Sequence, residues 1–277
     1  MTGRLAEDST LQLKLWHLFR DYFDLAEKKR RWNCTDDIPW SDCNKNLDPA
    51  ISDVVWTFCA VEMFLPDYLS KSIPMVRDNR GRAWMFANWG YEELKHSLAL
   101  GDWLLHSGWR TDEEMQDLAD GVFKEEYDLP YDNPLFMVCY TTFQELATGV
   151  HYRNLKRVVG GKCPALDKAL SLISIDESAH ADFFRKVFET YLEFDRREAL
   201  GALYEVIKGF QMPAVNLLID GQRRAAAVRE LNIFDESTFY GTVVTPILDK
   251  LGVTKQEMKV YAKRERANVT ASLPKKG

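Results

Sequence analysis

The chain has 277 residues, is 46% hydrophobic and 28% charged, and carries a formal net charge of −6. That composition supports a sizeable core. The acidic balance argues against a nucleic-acid partner, and no stretch approaches the roughly 20 uncharged apolar residues of a membrane span. The opening residues, MTGRLAEDSTLQ, lack the apolar core of a signal peptide. Five cysteines (Cys34, Cys43, Cys59, Cys139, Cys163) make no Cys-x-x-Cys pair. They read as reduced thiols of a cytoplasmic or stroma-like compartment, and a zinc site built on cysteine is not expected.

Helical signals run the length of the chain. Residues 11–31 carry apolar side chains at helical spacing. Residues 51–70 follow Pro49 as a helix start and Asp48 as its cap. Residues 80–107 read as one long helix stopped near Gly108. Thr111 and Glu114 form a capping-box pattern for the segment 111–127. Residues 134–158 and 165–193 are two more long helices, parted by the turn GGKCP. Residues 196–228 read as helical with a kink at Pro213. A shorter helical hairpin is expected to close the chain before the loose tail SLPKKG. Strand alternation is almost absent, and neither an internal repeat nor a long linker is seen. The expectation is one all-α domain spanning 1–277, built around a long-helix bundle.

The segment YEELKHSLALGDWLL (91–105) sets a problem, because Glu92, Glu93 and His96 sit in an otherwise greasy helix. A carboxylate facing a core is costly unless something replaces its water. The chain has only five histidines, and two share one pattern, Glu93-x-x-His96 and Glu177-x-x-His180. Residues i and i+3 of a helix share a face, so each pair can present a carboxylate and an imidazole together. Two further glutamates, Glu62 and Glu145, lie in apolar helices. Two helices giving one Glu each and two giving Glu-x-x-His are the ligand set of a carboxylate-bridged di-iron or di-manganese centre in a four-helix bundle. Four carboxylates nearly neutralise two divalent ions and bridge them at roughly 3.5–4 Å, and each imidazole adds a neutral nitrogen. His17, His106 and His151 are assigned to packing or solvent.

These segments resemble the soluble acyl-[acyl-carrier-protein] desaturases, ferritin-like di-iron proteins. YEELKH (91–96) is similar to the family's E-E-N-R-H, TFQELAT (142–148) to T-F-Q-E-R-A-T, DESAH (176–180) to D-E-K-R-H, and VEMFLPDY (61–68) to E-E-A-L-P-T-Y. KKRRWNCTDDIPW (28–40) resembles the stretch ahead of the first bundle helix. The resemblance covers roughly residues 25–220. It implies that Glu62, Glu93, His96, Glu145, Glu177 and His180 bind two irons. It places the Thr148 hydroxyl near an oxygen pocket, and Asp176 with Trp32 beside His96 as an outer, electron-entry pair. The implied reaction removes two hydrogens from an acyl chain held as a carrier-protein thioester, using O2 and electrons from a ferredoxin-type donor. The family also implies a homodimer. In this context the run Lys28, Lys29, Arg30, Arg31 docks an acidic carrier.

The sequence departs from the plant enzymes in a shorter Glu62–Glu93 interval, in SKSIPMV (70–76) and in Leu146. These bear on chain length and bond position. The slot for an acyl chain is expected along Leu65, Leu69, Thr141 and Thr142, with Met75 near its closed end. Two other functions fit the same ligands: a different di-iron oxygenase, acting as a hydroxylase or N-oxygenase, and a ferritin-like metal-binding protein without an organic substrate. A long apolar cavity reaching the metals distinguishes the desaturase from the last of these.

Overall fold

A computed structural model describes residues 9–218 and 220–261; the tail SLPKKG lies outside them. Nine helices carry most of the architecture: α1 (Ser9–Lys29), α2 (Pro49–Glu62), α3 (Leu65–Met75), α4 (Arg80–His106), α5 (Asp112–Val122), α6 (Pro134–Val159), α7 (Pro164–Phe194), α8 (Arg196–Gly209) and α9 (Gly221–Glu230). A π-helical stretch, Phe239–Val244, then runs into a short helix, Thr245–Leu251. No strand occurs among the described residues.

Local chemistry sets the boundaries of the long helices. Asp48 accepts from the Ala50 amide with Pro49 in the first turn of α2, a position where the missing N–H costs nothing. Asn79 caps α4 through the Arg82 amide, and Asn133 caps α6 ahead of Pro134. The Thr111–Glu114 capping box opens α5 as the sequence predicts. At the end of α6, Gly160 adopts φ 58°, a left-handed closure that glycine makes without steric cost.

Two helix readings are corrected. The stretch 51–70 is not continuous, because α2 stops at Glu62 and α3 begins at Leu65. Pro66 would clash with the Glu62 carbonyl in an unbroken helix and has no amide to donate. The stretch 196–228 is likewise not one kinked helix. It ends at Gly209, and Pro213 sits in an irregular connection where Ala214 is left-handed at φ 55°.

Helices α2, α4, α6 and α7 form the bundle. α6 and α7 pack along their length, and α2 lies on α4. Outside it, α1 lies against α4 and α7, while α9 lies against α2. Where α1 crosses α4, a side chain at Gly81 would come within 2.6 Å of the Leu15 carbonyl oxygen, so this close approach requires glycine. The stretch Pro49–Met75 has the length and hydropathy of a membrane span. It is interrupted between α2 and α3 and carries the buried Glu62, which makes it a core element of the bundle.

Candidate metal centre

All six sequence-predicted ligands converge in the bundle, and all are buried. They form two overlapping sets, Glu62–Glu93–His96–Glu177 and Glu93–Glu145–Glu177–His180, with candidate ligand atoms within 4.8 Å of one another in each. Glu93 and Glu177 belong to both, the position of bridging carboxylates. Each histidine turns Nδ1 inward: His96 Nδ1 lies 3.1 Å from Glu93 and 3.2 Å from Glu177. His180 Nδ1 lies 2.9 Å from Glu93 and 3.1 Å from Glu145. Tyr152 donates its hydroxyl to Glu62 at 2.7 Å.

The donor set fits two divalent cations. One oxygen of Glu145 and both of Glu177 are buried without a well-directed hydrogen bond, an expensive arrangement unless a cation takes up the lone pairs. Without metal, the charge is strained. Burial, then repulsion from Glu93, pushes Glu62 up to about 8. Burial with Glu93 and Glu145 raises Glu177 well above the carboxylate range. Burial opposes ionisation of Glu93 too, yet the two imidazoles hold it down at about 2. Burial disfavours the charged form of His96 and His180, but the carboxylates around them outweigh it and raise both. Protons thus stand where metal charge would otherwise sit.

A second layer grips the histidines from outside. His96 Nε2 faces Asp176 Oδ2 at 3.4 Å, and His180 Nε2 faces Glu92 Oε2 at 2.8 Å. The relation is reciprocal: the carboxylate preceding each helix's ligand Glu holds the histidine of the other helix. Trp32 donates its indole N–H to Asp176 at 2.7 Å. Tyr22 plays the matching part by donating its hydroxyl to Glu92. Arg30 closes the layer, giving one amino group to Asp176 and the other to Glu92 and the Tyr22 oxygen. Asp176 ionises well below the usual carboxylate range and Glu92 at about 2, because the imidazoles and Arg30 overcome burial.

The docking run is corrected here. Lys28 and Lys29 are exposed, but Arg30 and Arg31 turn inward. Arg31 pairs with Glu92, Asn88 and Glu27. Arg30 spans the two buried anions Asp176 and Glu92, and Arg31 gives one amino group to Glu92, so neither guanidinium group is free for a docking surface.

A cavity of about 740 Å³ lies on the opposite side of the cluster. Its inner wall holds Glu62, Glu93, Tyr68, Trp89, Thr148, His151 and Tyr152. Its outer wall is Phe210–Pro213, one side of α9 and Phe234–Phe239, with exposed Arg229 and Glu236 at the rim. Thr148 lines this cavity, and its hydroxyl bonds to the Gln144 carbonyl at 3.0 Å. The five slot residues are not on this wall. Leu69 fills the space over Gly90, and Leu65 packs into the core. The buried Thr141 and Thr142 return their hydroxyls to the helix carbonyls of Met137 and Val138. Met75 lines a separate crevice with Phe86 and Met137. Sequence reasoning gave no role to Glu92 or Tyr22 and assigned His151 to packing or solvent, whereas it lines the cavity with Thr148. The YEELKH stretch held a signal for Glu92, a second carboxylate in an apolar helix.

Four bundle helices that enclose two lone glutamates and two Glu-x-x-His pairs define a ferritin-like fold with a carboxylate–histidine core that could hold metal ions. The fatty acid desaturase family model matches residues 24–276. DesA1 of Mycobacterium tuberculosis, provisionally named an acyl-[acyl-carrier-protein] desaturase, is 28% identical over 249 residues, 82% of this chain and 72% of its own. The chloroplastic stearoyl-[acyl-carrier-protein] 9-desaturase 1 of Oryza sativa is 27% identical over 226 residues, 78% of this chain and 53% of its own. Among solved structures, DesA2 of M. tuberculosis superposes with a TM-score of 0.66 at 17% identity, covering 91% of this chain and 99% of that one. An R2-like ligand-binding oxidase variant with a Mn/Fe cofactor gives 0.50 at 16% identity, covering 86% and 93%. This chain belongs to the fatty acid desaturase family, among the acyl-[acyl-carrier-protein] desaturases.

Proposed function

We propose that the protein is a di-iron desaturase that introduces a double bond into an acyl chain delivered as an acyl-carrier-protein thioester. The observation that carries this reading is the cavity, mostly apolar, that runs from the surface to Glu62 and Glu93. A metal-storage protein has no use for it. Two irons would be held by Glu62, Glu93, His96, Glu145, Glu177 and His180, and when bound they supply the O2-activating redox chemistry. The overall reaction takes two hydrogens from the chain, one O2, two electrons from a ferredoxin-type donor and two protons, and yields an alkene and two waters.

The protein's own residues prepare the site. Asp176 and Glu92 accept the Nε2–H of their histidines, which fixes each ring in the tautomer whose Nδ1 lone pair points inward. Trp32 and Tyr22 hold those carboxylates in turn. Tyr152 orients Glu62, and the walls of the cavity exclude bulk water from its inner end. Thr148 presents its side chain to the cavity three residues from Glu145. Lys28 and Lys29 lie on α1, which contributes nothing to the cavity lining, so the carrier docks instead beside the rim, where Arg223 and Arg229 of α9 are exposed. The reading extends to one domain, a homodimer and a reducing, cytoplasmic setting.

The test is product analysis by mass spectrometry, with iron-loaded protein, reductant, O2 and a panel of acyl-carrier-protein thioesters. A mass loss of two is expected, with about two irons per chain by elemental analysis. Glu145→Ala should lose metal and activity together while remaining folded, because removing one carboxylate relieves repulsion. A gain of sixteen would mark a hydroxylase, and one zinc per chain would sink the di-iron reading.

A further inference from the structure

We infer that His151 is a substrate-positioning residue, whose Nε2 accepts a hydrogen bond from an N–H or O–H that the substrate carries inside the cavity. The inference rests on the acyl-substrate reading above. His151 lies on α6 six residues beyond Glu145, about 9 Å further along the axis at 1.5 Å per residue. Gln144, Thr148 and His151 share one face of α6, and all three line the cavity. That polar stripe is not something a bare hydrocarbon requires.

The tautomer follows from one contact. His151 Nδ1 sits 2.7 Å from the Ala147 carbonyl oxygen. A carbonyl only accepts, so Nδ1 carries the proton and Nε2 is left with a lone pair. The ring is only 7% exposed. It is held by face-to-face stacking on Phe234, with centroids 4.0 Å apart, and by the edge-on ring of Phe58. Among the described residues, Nε2 has no protein partner. Burial pushes the imidazole down to about 4, so it stays neutral, and remains an acceptor, near pH 7. His151 lines the cavity, so a ligand that supplies a donor there can take the place of water at Nε2. The matching donor has two sources: the amide N–H of the carrier's thioester arm, or a hydroxyl on the acyl chain.

Calorimetry on the 277-residue chain separates them with three probes: decanoyl-pantetheine, methyl decanoate and a methyl hydroxydecanoate. His151→Phe keeps the stacking but removes the acceptor. It should weaken binding of a donor-bearing probe about tenfold and leave methyl decanoate unchanged, and His151→Gln should restore part of the loss. A loss confined to decanoyl-pantetheine assigns the arm amide; one confined to the hydroxy ester assigns a chain hydroxyl. Equal losses for all three probes, or none for any, overturn the assignment and leave the desaturase reading standing. Failure of the unaltered protein to bind any of the three overturns the acyl-substrate reading, and this inference with it.

Discussion

Three histidines are buried around the centre, and they divide by side. On the α1 side, His96 and His180 each meet a carboxylate at Nε2, and Arg30 ties those carboxylates together. On the cavity side, His151 meets a backbone carbonyl and two aromatic rings. The first pair is pushed up by its charged surroundings and the third is pushed down by burial. The lesson is a division of labour within one bundle. One side is closed by charge and holds the histidines; the other opens into a mostly apolar cavity.

The comparison breaks most severely at Arg30. Replacing it with Leu leaves Asp176 and Glu92 buried without their shared cation. A stability loss of about 3–5 kcal/mol is expected in chemical denaturation. Arg30→Lys should recover only part, since an ammonium cannot span both carboxylates as the guanidinium does.

The contrast between the histidines can be sharpened through pH. His151 is depressed from 6.5 to about 4 in the folded protein, so the unfolded chain binds its proton first as pH falls. Its stabilising contribution is complete above pH 6.5 and is lost toward pH 4, by up to ~3 kcal/mol. Thermal or urea unfolding across that window should show a shallower acid loss in His151→Phe than in the parent. Identical slopes would mean that the ring is not buried neutral.

The smallest effect is expected on the outer wall. Ala225 of α9 lines the cavity and is half-buried. Ala225→Leu should change stability within about 0.5 kcal/mol and leave the bound metal intact, while reducing acyl binding in the same calorimetric assay.

Much of the centre was legible in the sequence because its ligands obey helical periodicity. Glu93 with His96 and Glu177 with His180 need only the i, i+3 rule, and Glu62 and Glu145 stand out by charge in apolar helices. Glu92 and Asp176 needed more, since each acts on the histidine of another helix, and that pairing exists only after packing. For Asp176 the family resemblance supplied it; for Glu92 nothing did. Arg30 and Arg31 were misread for the same reason: a basic run at a helix end looks solvated until the buried anions it serves are placed. The slot failed on different grounds. Its outer wall comes from residues 210–239, which fall in a stretch read as a kinked helix to residue 228 followed by a hairpin, so the expected lining was drawn from the bundle alone.

The Arg30–Asp176 contact joins groups 146 positions apart. Closing so long an interval is entropically slow and must be repaid by contacts formed at the same time. The first helix packs on α4 as well, but Arg30 at its end meets both of its carboxylates only once the last bundle helix is in place. Completion of the centre likewise waits on that helix, because Glu177 belongs to both ligand sets. A growing chain would hold its carboxylates apart, in water, until every helix that must share their charge is present.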